Sequence, residues 1–422
     1  MRSRAMHLGT LLIVFVCAHL SYGRLPVDVE QVYAQSPGSL PRVQQSNLVY
    51  QGAFLVPRGS TTQTSFSYGG TALAYNSAKK SIFMVGHDWH QRSAEISIPM
   101  IVNSTSLGGL NTASLLQSFA DATEGRLNQI NPNDPNSKKV GGQLVYNNKL
   151  YISGYSYYDG ASTQASSHFA RPVSLSTTGQ VTGPVRVGSQ YPGFVSGYMT
   201  QIPSEWQSLF GGPALTGNCC LAIVSVQSSG PAASVFNPGN VGASNPVPDT
   251  PVVGYPYSHP LGDWGSTNPY FNGTTQITGI VFPSGTRSVL FFGRHGVGTF
   301  CYGTGTECND PADNAKGTHA YPYKYQVWAY DANDLVAVKN GTKQQWEVRP
   351  YAMWNFNLPF EKTNDYHKLG GAAYEPSTGL IYVAQGCADT DCNPIVHAFR
   401  VNIGTVSADT MAPSPPTALR VQ

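Results

Sequence analysis

One pattern recurs along this chain and limits its folds more than any other feature. Small residues open it, an alternating strand follows and ends in an aromatic, a turn reverses the chain, and a second strand ends in glycine. It reads GGTALAYNSAKKSIFMVG from Gly69, GGQLVYNNKLYISG from Gly141, TGIVFPSGTRSVLFFG from Thr278 and GGAAYEPSTGLIYVAQG from Gly370. A degenerate copy starts near Ser196, SGYMTQIPSEWQSLFGG…CCLAIVSV, with a helical-looking insert and CCLAIVSV as its second strand. The turns are hairpin chemistry. Each pair leads to a third strand: AEISIP, SHFARP, AASVFNP, YQVWAYD and IVHAFRV. Units of three or more strands repeated in this way predict an all-β chain folded as a β-propeller. Five blades are counted; six or seven would need one hidden in 191–263 or 346–360. A two-sheet sandwich leaves the Gly-Gly starts unexplained, whereas crowded inner strands at a propeller axis require them. The early LVYQGAFLVP is the candidate outer strand that closes the ring.

Composition agrees. Of 422 residues only 11% are charged, against about 25% in an average domain. Gly (44), Pro (30) and Tyr (24) are abundant, as suits short strands and many loops. A net charge of +2 offers no basic stripe, so nucleic acid is not an expected partner. The first 23 residues read as a signal peptide, with Arg2 and Arg4 before the apolar run Leu8–Cys17 and small Ser21 and Gly23 at its end. Residues 24–46 are expected to be a linker, 47–403 the propeller, and 404–422 a Pro-rich tail resembling the start of a truncated fibronectin type III module. No later run approaches the ~18 apolar residues of a membrane span. A secreted protein, extracellular or periplasmic and monomeric, is the expectation.

Six cysteines follow the leader: Cys219, Cys220, Cys301, Cys308, Cys387 and Cys392. In an exported chain an even number suggests disulfides. CYGTGTEC and CADTDC are segments a local bridge would staple. Cys219 and Cys220 then remain for each other or for long-range pairs, expected on the face away from the function. Zinc ligation is the rival reading, although no pair has the CxxC form. Asn103, Asn272 and Asn340 match the glycosylation acceptor.

The repeat has a geometric consequence. First strands leave one face and second strands return to it, so the residues after second strands share a central mouth with the Gly-Gly starts. That rim should gather His87, Asp88, Trp89 and His90, Tyr155, Tyr157 and Tyr158, Arg294 and His295, and Gln385 and Asp389. The longest loop on the same face adds His319, Tyr321 and Tyr323. Aligning third strands places Glu95 and His168 near the mouth, with Arg171 deeper or on the other face. Five of ten histidines therefore fall on one predicted rim.

Three chemistries fit such a rim. β-Elimination on a uronic-acid polysaccharide needs a neutral base, a cation for the carboxylate and an acid for the leaving oxygen. His87, His90, Tyr155, His168, Arg294, His295 and His319 are the catalytic candidates. Asp88, Trp89, Tyr158, Arg171, Tyr321 and Tyr323 are the glycan-binding ones. Glycoside hydrolysis needs two carboxylates about 5–9.5 Å apart, from among Asp88, Glu95, Asp159 and Asp389. A metal-dependent hydrolase would use a divalent ion, calcium or zinc, at the mouth on His87, Asp88, His90, His295 and His319. A non-catalytic glycan- or surface-binding propeller is the alternative, but it should repeat one polar set in every blade. His397, inside IVHAFRV, reads as a structural histidine.

The stretches GTHAYPYKYQVWAYDAND, LFFGRHG and GGPALTGNCC resemble a family of exported hypothetical proteins, over roughly Gly52 to Val401. The resemblance implies export and contributes no catalytic residue. The outline, a propeller with His, Tyr and Arg at its mouth, is also similar to polysaccharide lyases of propeller fold.

Overall fold

A computed structural model describes residues 35–361, 365 and 367–403. The expected signal peptide, residues 24–34 of the expected linker and the Pro-rich tail lie outside these residues. The described chain is a five-bladed β-propeller of four-stranded antiparallel sheets. Blade 1 comprises Leu73–Asn76, Ser81–Val85, Ser93–Ser97 and Leu115–Ala120. Blade 2 comprises Lys138–Tyr146, Lys149–Ser156, His168–Pro172 and Thr182–Val185. Blade 3 comprises Met199–Gln201, Ala214–Thr216, Ala233–Phe236 and Asp249–Val253. Blade 4 comprises Gln276–Val281, Ser288–Gly296, Tyr323–Asp331 and Ala352–Phe356. Blade 5 takes Leu369–Glu375, Leu380–Gln385 and Ile395–Val401 from the end of the chain and Leu48–Leu55 from its beginning. Leu48 pairs with Val401 and Leu55 with Ile395. The ring is thereby closed by hydrogen bonds between segments far apart in sequence, and no blade edge is left open there.

Each first strand packs against the first strands of its two neighbours, 1 on 2 through 5 on 1. The approach explains the glycines. A Cβ on Gly141 would overlap the Ser196 carbonyl of the next blade, and one on Gly370 the Gly70 carbonyl. Blades 2, 4 and 5 each bulge at this point, at Val140/Gly142, Ile277/Gly279 and Leu369/Ala372, which bends the strand start across the axis. Away from the axis, facing sheets bury apolar residues in five interblade cores. Trp206, Phe282, Phe291 and Tyr330 fill the one between blades 3 and 4; Phe54, Leu73, Met84 and Tyr382 fill the one between blades 5 and 1.

Three features differ from the sequence reading. The second strand of blade 3 is Ala214–Thr216, not the CCLAIVSV run. Cys220 has φ of 63°, in the left-handed region that no strand continues through, so the apolar run becomes a loop leaving the mouth. The helical insert is present as Ser204–Phe210, capped by Gly211 at φ 76°. Residues 36–47 are no linker. Val43 N–H donates to Ser288 Oγ at 2.8 Å, Tyr351 Oη donates to the Val43 carbonyl at 2.6 Å, and Arg42 pairs with Asp331 at 2.6 Å.

Phe54 lies in the closing strand, fully buried and edge-on to Tyr382 at 6.5 Å. Phe54→Ala should lower unfolding stability by about 3–5 kcal/mol in equilibrium denaturation. A loss below ~1 kcal/mol would mean the closing strand does not hold the ring.

Candidate functional site

The loops that follow second strands, 86–92, 157–167, 217–232, 297–322 and 386–394, leave the face where first strands begin. On the axis of this face lies a chamber of about 560 Å³, lined by Asp88, Lys139, Tyr155, Gln276 and Lys368 among others. Lys139 sits at the bulged start of blade 2, directly opposite Tyr155 in the ladder. Its ammonium contacts Asp88 Oδ2 at 2.5 Å and lies 4.5 Å from the centre of the Tyr157 ring. Tyr155 is buried; desolvation, reinforced by the Asp88 charge, raises its pKa far above the ordinary phenol value and keeps its proton on. Lys368 occupies the equivalent start of blade 5 and is half-buried. Burial lowers its pKa, Asp88 works against that, and the nearby Lys139 and Arg294 charges lower it further. Asp313 and Asp365 complete the acidic part of the lining.

Beside the chamber, between the mouth loops of blades 3 and 4, runs a cleft of about 1020 Å³. Chamber and cleft share Tyr157, Leu221, Gln276 and Asp313. Arg294 lines the cleft, donates to Gln276 Oε1 at 3.2 Å and stacks over Tyr323 at 4.7 Å.

Of the residues expected at the mouth, the structure brings Asp88 and Tyr155 into the chamber and Tyr157, Tyr158 and Arg294 into the cleft. The histidines are elsewhere. His87 is buried under its own loop, its Nδ1 accepting from Trp89 N–H at 3.2 Å; burial and the neighbouring His90 keep its pKa low. His90 bonds Thr62 Oγ1 at 3.0 Å, and Trp89 is 81% exposed outside both cavities. His168 is sealed in the core, bonded to Ser167 at 2.8 Å and Thr216 at 3.0 Å, and burial drops its pKa to about 3. His295 turns inward where Arg294 turns outward, as strand alternation demands. It meets Thr275 Oγ1 at 2.9 Å, and burial lowers its pKa to about 4.

His319 and Tyr323 are also structural. Both converge on Asp310 Oδ2, at 2.8 and 2.6 Å, and the second His319 nitrogen faces the Ala315 carbonyl at 3.0 Å. Burial disfavours the imidazolium, but Asp310 and that carbonyl prevail and the pKa is raised. Tyr321 packs edge-on against Tyr323 and lines neither cavity. Arg171 is buried near the opposite face, capping the carbonyls of Ser174, Leu175 and Thr177. Three of the four acids considered for hydrolysis are spent on structure. Glu95 is held by Asn76, Ser81 and Gln117, Asp159 by Thr163, Gln164 and Tyr191, and Asp389 by Asn393. Gln385 and His397 bond each other at 3.0 Å, and Asn272 is fully buried. Among the described residues no group of three His, Cys, Asp or Glu side chains is placed to hold a metal ion.

The bridges are Cys219–Cys220, Cys301–Cys308 and Cys387–Cys392. Cys220 lines the cleft, so the vicinal pair belongs to the mouth face and not to the opposite one. Sequence reading missed Lys139, Lys368, Gln276, Asp313 and Asp365. A signal for two of them was present: Lys139-Val-Gly-Gly and Lys368-Leu-Gly-Gly put the same cation two residues before the axial glycine pair in two blades.

No family model matches the chain, and no curated protein matches it. Among solved structures it is similar to a glycosyl hydrolase from Bacteroides ovatus, with 12% identity over 86% of this chain and 93% of that one and a TM-score of 0.43. It is also similar to the GH43 endo-arabinanase of Bacillus licheniformis, at 12% identity, 81% and 96% coverage and a TM-score of 0.39. A luciferin-regenerating enzyme follows at 8%, 83% and 95%, and 0.34. Likeness at this level carries neither fold nor activity across, and the propeller is defined by its own strand pairing. The expected outline similarity to polysaccharide lyases has no counterpart among these three.

Because the folded pKa of His319 is raised, its contribution to stability is complete below the unfolded value near 6.5 and fades as pH climbs through the folded value. His319→Gln should therefore cost on the order of 2 kcal/mol at pH ~6 and clearly less at pH ~9, by urea denaturation at each pH. An equal cost at both would show that the imidazolium is not the bonded form.

Proposed function

We propose that this propeller is a secreted enzyme that cleaves an acidic extracellular polysaccharide by β-elimination at the axial chamber. One observation carries the reading: Lys368, its pKa lowered, shares the chamber with Lys139 and a buried, firmly protonated Tyr155, with Arg294 close by. Elimination from a uronate needs those parts. Lys139 and Arg294 supply charge for the carboxylate, which acidifies the adjacent C5–H. Lys368, once deprotonated, takes that proton, and the electron pair forms the C4–C5 double bond as the C4–O bond breaks. Tyr155 gives its proton to the departing oxygen. Asp88 holds Lys139 in place through their ion pair and disfavours the tyrosinate. The histidines first considered for the base do not reach the chamber, so Lys368 replaces them. Among the described residues no helix is long and apolar enough to cross a membrane, and three disulfides suit an oxidising compartment.

A second reading is hydrolysis, favoured by the three carboxylates Asp88, Asp313 and Asp365 around the same chamber. One assay separates the two. The purified protein is incubated with polygalacturonate, alginate and hyaluronan while ultraviolet absorbance of unsaturated uronide and release of reducing ends are followed together. Elimination yields both signals; reducing ends without absorbance would assign hydrolysis and overturn the lyase reading.

Lys368→Met should lower kcat about 10²–10⁴-fold, the usual span for a lost general base. The wild-type rate should rise with pH as Lys368 deprotonates, with its midpoint below the ~10.4 of free lysine. Lys368→Arg keeps the charge and should be equally inactive; full activity there would remove Lys368 as the proton acceptor.

A further inference from the structure

The cleft beside the chamber holds a feature that elimination chemistry does not use. Tyr257 is 91% exposed, Tyr302 63%, Tyr158 48% and Trp264 47%, and all four line this one cavity. Large apolar side chains scattered singly over a surface need no explanation, but a contiguous set in a concavity marks a binding surface. Trp264 and Tyr302 form a tilted pair with ring centres 6.4 Å apart.

We propose that the cleft between the mouth loops of blades 3 and 4 is the track for the flanking sugars of an acidic polysaccharide, so that the enzyme binds several pyranose units and cuts within chains. The proposal rests on the reading of the chamber as the cleavage site. A pyranose ring has apolar C–H faces and a polar hydroxyl rim. Its faces suit Tyr158, Tyr257, Trp264 and Tyr302, and its rim suits the amides and hydroxyls between them. The cavity, about 1020 Å³, is at the upper end of the size range for a drug-sized ligand, so it takes an oligosaccharide and not one sugar. Two cations, Lys316 exposed on the outer lining and Arg294 at the inner end, outnumber the one carboxylate of the lining, Asp313. The floor is continuous with the chamber through Tyr157 and Gln276. Both walls are built to keep their shape. Cys219–Cys220 begins one and Cys301–Cys308 anchors the other. Gln227 bonds both polar backbone groups of Ala222, at 3.3 and 2.9 Å, and so pins the loop between. Ile223, Val224 and Val226 are exposed because they face the sugar, which is why this run reads as a buried strand in the sequence.

The test uses oligogalacturonates, oligoalginates and hyaluronan fragments from dimer to octamer. Binding is measured calorimetrically to the wild type and to Lys368→Met, and turnover to the wild type, alongside Tyr257→Ala and Tyr302→Ala. Both tyrosines are exposed, so folding should survive, which circular dichroism checks. Affinity and kcat/KM should climb with chain length. Each tyrosine variant should weaken octamer binding by roughly threefold to tenfold, with the smallest loss on the dimer. Equal octamer affinity in the variants, or no dependence on length, overturns the track while leaving the chamber untouched. Length-dependent, tyrosine-dependent binding without cleavage by the wild type keeps the track and removes the elimination reading. No binding to any of the three series removes both.

Discussion

The approach of five first strands at the axis governs everything else in this molecule. There the backbones are so close that a single methyl group on Gly141 or Gly370 would strike a neighbouring blade's carbonyl. Crowding on that scale forces glycine, bulges the strand starts and points the residues just before them at a common centre. Lys139, Gln276 and Lys368 thus meet although more than two hundred residues separate the first from the last. The arrangement holds only while the ring is shut, which depends on Leu48–Leu55 pairing with the last strand of the final blade.

Polar side chains then divide into two populations. One is saturated: Glu95, Asp159, His168, Asp310, His319 and His397 each meet several partners inside a blade, among loops or across the seam to the next blade, as buried polar groups must. The other faces the chamber, where burial and mutual charge leave Lys368 easier to deprotonate and Tyr155 harder. Groups whose environments drive their proton affinities in opposite senses are what proton transfer requires. At Arg294 and His295 the period of two along the strand draws the line between the populations.

Blade order and four of the five hairpins could be read from the sequence because they rest on local pattern: alternation, turn residues and glycine spacing; ring closure followed from the one early strand left without a blade of its own. Site composition was harder. A residue's distance from a strand end places it on a face, but whether its side chain turns to the axis or into the core depends on the neighbouring blade. His168 and His319 sat at the expected ends and turned inward, to Thr216 and Asp310. The Cys220 loop was misread because exposed apolar residues that serve a cavity resemble core. Lys139 and Lys368 were legible in principle, since both precede a Gly-Gly start, but lysine is usually a solvated surface residue.

The proposed elimination requires a uronate at the axis with its carboxylate between Lys139 and Arg294. A crystal structure of Lys368→Met with a uronic-acid oligosaccharide tests it directly. The carboxylate should lie within hydrogen-bonding distance of both cations, with the C5–H facing position 368 and the Tyr155 hydroxyl at the glycosidic oxygen. A sugar seated on another face, or at the axis with its carboxylate turned from both cations and its glycosidic oxygen against Asp313 or Asp365, would contradict it.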